Sequence, residues 1–180
     1  MIQLNELLGN AKLVKLLFFY LDHPQEEQSY TQLLKTTKLS RATLGKHLKF
    51  LNQKGILKLR EIGLNRLYSL NGNNYLVKQL KILLNLSRLG FFTDLSKKFN
   101  LRFYLYGSAA RGEDNEESDI DILCLGEVKK EKLMEIINAQ SKKLSKEIRL
   151  QLFTLLEWSQ MKDKDSAFYE RVEKDKIEIK

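Results

Sequence analysis

The sequence predicts an α+β fold in two small parts, and three observations point to it. The first half shows helical periodicity and then two strand-like runs joined by a turn. After Gly90, strands alternate with helices, as expected of a small α/β unit on a mixed sheet. The positive charge is uneven: up to Tyr75, 11 Lys+Arg stand against 5 Asp+Glu, while from Leu76 onward 20 stand against 18. The 180 residues suffice for two cores of modest size. The expected organisation is a first domain over 1–74, a linking helix over 75–90 and a second domain over 91–180.

Taken in order, Leu4, Leu7, Leu8, Ala11, Val14, Leu17 and Phe18 fall on one helical stripe, and Pro24 ends that segment. Tyr30–Thr36 reads as a short helix. Lys38-Leu39 is a tight connection, and Ser40 is the N-cap of a helix over Arg41–Lys54 that stops at Gly55. Ile56–Ile62 and Arg66–Leu70 alternate as strands about a Gly63-Leu64-Asn65 turn. Tyr75–Leu89 is helical, with Leu76, Leu80, Leu83 and Leu84 expected to pack. Beyond Gly90, strands are expected over Leu101–Tyr106, Asp119–Leu125 and Glu147–Thr154. A turn entering a short helix covers Gly107–Gly112, a helix covers Lys129–Leu144, and the tail from Glu157 is mostly helical.

Composition narrows the classes. No apolar run approaches the roughly 20 residues of a membrane span, and the N-terminus lacks the pattern of a secretory signal. Cys124 is the only cysteine, so an intrachain disulfide is impossible, and a cytoplasmic protein is expected. The net charge of +8, concentrated before Leu76, suggests a polyanionic partner, although lysine-rich surfaces also serve solubility alone.

Three helices followed by a hairpin is the order of a winged helix-turn-helix, and Tyr30–Leu70 resembles that superfamily. The resemblance implies that the helix beginning at Arg41 enters the major groove of duplex DNA. Ala42, Leu44, Leu48 and Leu51 would then face the core. Arg41, Thr43, Lys46, His47 and Lys49 would face solvent or DNA, with Lys58, Arg60 and Arg66 on the wing beside the phosphate backbone. Basic residues on an exposed helix are often only a solvated face, and many winged helices bind protein instead of DNA.

The run LRFYLYGSAARGEDNEESDIDILCL, from Leu101, is the most informative. Gly107 permits a sharp turn and close approach to a phosphate, and Ser108 offers a hydroxyl and a backbone N–H. Alternate strand residues share a face, so Asp119 and Asp121 point the same way, about 6–7 Å apart, while Ile120, Ile122 and Cys124 point into the core. Two carboxylates on one face repel unless a cation sits between them. Glu113, Asp114, Glu116 and Glu117 are expected to form a solvated loop. Arg111 either binds phosphate or packs and forms salt bridges beside Gly112.

Gly-Ser, ten residues and then Asp-x-Asp, with apolar strands on both sides, resembles the minimal nucleotidyltransferases of the polymerase-β-like superfamily. The resemblance covers about Phe91 to Lys180. It implies Mg²⁺ on Asp119 and Asp121, the phosphates of ATP or another nucleoside triphosphate at Gly107, Ser108 and Arg111, and transfer of a nucleoside monophosphate to a hydroxyl with loss of pyrophosphate. It also implies a third carboxylate on the neighbouring strand, where Glu147 is the available acid and Arg149 the competing occupant. Minimal nucleotidyltransferases often act as antitoxins on HEPN-type toxins, so such a toxin or another protein is an expected acceptor. The alternative is a DNA-binding transcriptional regulator whose second domain binds nucleotide or a partner without turnover. An antitoxin that also represses its own promoter would combine the two. A homodimer is compatible with the sequence, which does not fix the oligomeric state.

Overall fold

The computed structural model describes residues 4–180. The chain divides into two compact units, Met1–Lys78 and Gln79–Lys180.

The first unit begins with two helices, α1 (Leu4–Leu8) and α2 (Ala11–Asp22), where one continuous stripe was expected. Asn10 caps α2, its side chain accepting from the Lys12 and Leu13 amides, and this restart changes the phase of the buried face. The core takes Leu7, Leu13, Leu16, Leu17, Tyr20 and Leu21. Leu4, Leu8, Ala11 and Phe18 are exposed. A two-residue strand β1 (Gln28–Ser29), absent from the sequence reading, leads into α3 (Tyr30–Thr37). Ser29 and Gln32 form a capping box there. Ser40 caps α4 (Arg41–Gln53), accepting from the Thr43 amide. Strands β2 (Leu57–Ile62) and β3 (Asn65–Leu70) form the hairpin, with Ile62 opposite Asn65. The turn is therefore the two residues Gly63-Leu64, shorter than expected. The sheet order is β1-β3-β2, all antiparallel. The Tyr20 hydroxyl donates to the Tyr68 carbonyl at 3.2 Å, tying α2 to β3.

Helix α5 (Tyr75–Arg88) buries Val77, Leu80, Lys81 and Asn85, whereas Leu83, expected to pack, is exposed. In the second unit follow α6 (Phe91–Phe99), β4 (Arg102–Tyr106), α7 (Gly107–Ala110), β5 (Ile120–Leu125), α8 (Lys130–Leu144), β6 (Ile148–Phe153), α9 (Leu155–Lys164), α10 (Ser166–Asp175) and β7 (Ile177–Ile179). The sheet order is β6-β5-β4-β7. β4 runs antiparallel to β5 and β7, and β5 runs parallel to β6, so the sheet is mixed. A parallel pair needs a long crossover, and α8 supplies it. Neither α6 nor β7 was read from the sequence.

Apolar side chains cover both faces of this sheet. Ile120, Ile122 and Cys124 join Phe92, Phe103, Leu105, Leu133 and Ile137 on one face. Leu123 and Leu125 join Tyr106, Trp158 and Val172 on the other. Among the described residues no helix is long and apolar enough to cross a membrane.

Candidate functional site

The candidate site grows from the junction of β4, α7 and β5. The chain leaves β4 at Tyr106, which pairs with Asp121 across the antiparallel ladder. Gly107 then adopts φ +74°, and a Cβ there would stand 2.5 Å from the Asp121 Oδ2. The positive φ and the close carboxylate both require glycine at this turn. Asp121 is thereby held directly against the Gly107-Ser108 turn.

Asp119 immediately precedes β5, and Asp121 lies on the strand between core residues Ile120 and Ile122. Asp121 is half-buried, and its carboxyl is raised above the ordinary carboxylate range. Burial contributes most, Arg149 pulls the other way, and Asp119 adds repulsion. The Tyr106 hydroxyl is pushed up to about 12, chiefly by burial and then by Asp121. These groups form an acidic, partly desolvated corner whose oxygen donors suit a hard divalent cation such as Mg²⁺.

The neighbouring strand sets Arg149, and not Glu147, beside Asp121. In the parallel ladder Ile120 pairs with Ile148 and Asp121 with Arg149, so Glu147 precedes β6 and lies outside that position. The Glu147 side chain is 65% exposed, with its Oε1 3.4 Å from Arg149 Nε. Arg149 also reaches Asp119, Nη2 to Oδ2, at 2.7 Å. Among the described residues no three His, Cys, Asp or Glu side chains are grouped to hold a metal.

Arg111 donates from Nε to Glu113 at 2.9 Å and from Nη1 to Asp175 at 2.7 Å. It joins α7 to α10, a packing role that the sequence reading left open beside phosphate binding. The sequence pattern does not single out Arg171. It is exposed on α10, its guanidinium lies 5.5 Å from the Phe168 ring centre, and its charge bears on both Asp121 and Tyr106. Nothing local in the tail distinguishes Arg171 from the lysines around it.

The loop between Ser108 and Asp119 is not simply solvated, which corrects the reading of Asp114. Asp114 is 7% exposed. Its carboxylate meets Lys81 at 3.4 Å and Lys146 at 3.2 Å. Lys81 also donates to the Asp114 carbonyl. Asn85 donates to both the Ala109 carbonyl and the Asp114 carboxylate. Burial lowers the Lys81 ammonium below the ordinary lysine range, against Asp114, which raises it. The signal for this network was Lys81 and Asn85 at i and i+4 within an apolar helix, a polar pair on the face expected to be buried.

In the first unit Arg41, Lys46, Lys49, Lys58, Arg60 and Arg66 are exposed, and Thr43 is half-buried. Thr43 Oγ1 accepts from Ser40. Lys49 and Arg66 line one recess with Tyr30, Leu48, Leu59 and Tyr68. Arg60 pairs with Glu27 and Arg66 with Glu61. Two expectations for α4 are corrected: Ala42 is exposed, and His47, placed with the solvent-facing residues, is 7% exposed. The buried stripe Leu44, His47, Leu48, Leu51 is a regular i, i+3, i+4, i+7 face, and His47 occupies one of its positions.

Residues 89–177 match the family model of the nucleotidyltransferase domain. What the match shows of this part is likeness to a nucleotidyltransferase domain. Among curated proteins, none matches the chain. The matched span contains the Gly107-Ser108 turn, Asp119, Asp121 and the four strands of the mixed sheet, except that β7 continues to Ile179.

Proposed function

We propose that the nucleotidyltransferase-like domain binds ATP with Mg²⁺ and transfers AMP to a hydroxyl on a protein. The observation that carries this reading is the closure of Gly107 against Asp121, which joins the turn suited to phosphate to the carboxylate suited to the cation. Asp119 and Asp121 would hold the cation. Gly107 and Ser108 would receive the phosphates, and Arg171 would lie within electrostatic reach of their charge. A divalent cation bound there would neutralise phosphate charge during transfer. The domain's own contribution is positioning, which accounts for much of the rate in phosphoryl chemistry. The test is to incubate the protein with Mg²⁺, ATP labelled on the α-phosphate and candidate acceptors, including a HEPN-type toxin as expected for an antitoxin. Label on an acceptor protein, lost in Asp119→Asn, supports transfer.

A second reading is a regulator that binds nucleotide without turnover. Arg149 favours it, because the position in register with Asp121 carries a guanidinium where a carboxylate base could otherwise accept the acceptor's proton. ATP bound but never transferred to any acceptor would support this reading.

For the first unit the proposal is duplex DNA binding through a winged helix-turn-helix. It is supported by the +6 excess before Leu76, the exposed Arg41, Lys46 and Lys49 on α4, and Lys58 on the hairpin. The pairing of Arg60 and Arg66 with acids makes those two weaker candidates for phosphate contact.

A further inference from the structure

We infer that Arg149 supplies a built-in positive charge to the Asp119–Asp121 site and restricts it to a single divalent cation; this rests on the proposed cation role of those two residues. The argument is one of charge and placement. Asp119 and Asp121 together carry two negative charges. Arg149 is in register with Asp121 on the adjoining strand, and its Nη2 already lies 2.7 Å from Asp119 Oδ2. The trio therefore has a net charge of about −1. One divalent cation would leave it at about +1. Two, at the roughly 3.5–4 Å spacing of paired-metal sites, would leave it at about +3 with a guanidinium among them. Glu147, 3.4 Å from the Arg149 Nε, offsets this charge only in part, because its side chain is 65% exposed and screened by solvent. A guanidinium stays protonated at any working pH, so this charge is permanent.

The same geometry gives Arg149 a positioning role before any ligand arrives. It offsets the repulsion between Asp119 and Asp121, so the two carboxylates can share one face without a cation. An incoming cation must then displace or share the Asp119 contact. The guanidinium, released or retained, remains beside the site as a donor suited to a phosphate oxygen.

The experiment uses the full chain and Mn²⁺ alone, counting bound ions per chain from the loss of the free-ion paramagnetic resonance signal. Wild type is expected to bind at most one Mn²⁺. Arg149→Gln should bind one at least about tenfold more tightly, since a nearby positive charge has gone. Arg149→Glu should bind two. Arg149 is 58% exposed, so both variants should fold, and unchanged far-ultraviolet circular dichroism checks this. Two ions in wild type, or no tighter binding in Arg149→Gln, would overturn the inference. The double change Asp119→Asn, Asp121→Asn in the Arg149→Glu background separates the levels. If it retains the ions, the assignment of the cation to these aspartates fails, whatever Arg149 does.

Discussion

A methyl group at position 107 would collide with the Asp121 carboxylate, and the backbone there lies in the left-handed region that costs an L-residue about 1–2 kcal/mol. Gly107→Ala should therefore lose about that much stability by urea denaturation and also weaken Mg²⁺–ATP binding, because the carboxylate must move. Unchanged affinity would mean that Asp121 and the turn act independently. His47 makes a second prediction at this scale. Its imidazole lies on the buried face of α4, its Nε2 has no hydrogen-bond partner, and burial, followed by Lys46 and Lys12, lowers its pKa. The folded state thus resists protonation that the unfolded chain accepts near its ordinary value of about 6.5. The sign follows: stability is constant above that value and falls as pH drops through it. Thermal unfolding of the first unit should become acid-sensitive as pH falls below about 6.5, and His47→Leu should flatten the dependence. An equal slope in that variant would remove His47 as its cause.

Among the elements, α5 and the loop over 113–118 depend on one another through Asp114. Replacing Asp114 by Ala leaves Lys81, 4% exposed, without its carboxylate, and such losses cost about 3–5 kcal/mol. Pairing Asp114→Leu with Lys81→Met should recover much of that, because a buried ion pair exchanged for apolar groups is often near neutral. Trp158 is the only tryptophan and is buried in the second unit, so its fluorescence during urea unfolding reports on this domain. Equal midpoints for wild type and Asp114→Ala would refute the role given to the network. The elements also show what the sequence could reveal. β4, β5, α8 and β6 were legible because apolar alternation and periodicity dominate them. α6 and β7 were not, since β7 is only three residues long and earns its place through pairing with β4. The burial of Asp114 was likewise invisible locally, because its partners Lys81 and Lys146 lie more than 30 residues away in sequence. Arg149 shows the same limit: the strand was legible, but the register that set it, and not Glu147, beside Asp121 was a property of the sheet.

At the scale of the molecule, the chain combines a basic unit with one of nearly balanced charge that matches a nucleotidyltransferase domain. If the first unit binds duplex DNA, affinity should fall steeply with salt as condensed counterions are released. Arg41→Ala with Lys46→Ala should reduce the affinity and flatten the salt slope by about two phosphate contacts. Gel shifts at low salt test this, and equal binding by wild type and variant would place any DNA contact elsewhere. The central claim concerns the other unit: Gly107, Ser108, Asp119 and Asp121 form one site for a nucleoside triphosphate with its cation. Calorimetric titration of the full chain with ATP, with and without Mg²⁺, tests it most directly. The account predicts binding that requires the cation and disappears in Asp119→Asn, Asp121→Asn while Trp158 fluorescence still reports a folded domain. Cation-independent ATP binding of the same affinity in that variant would contradict it.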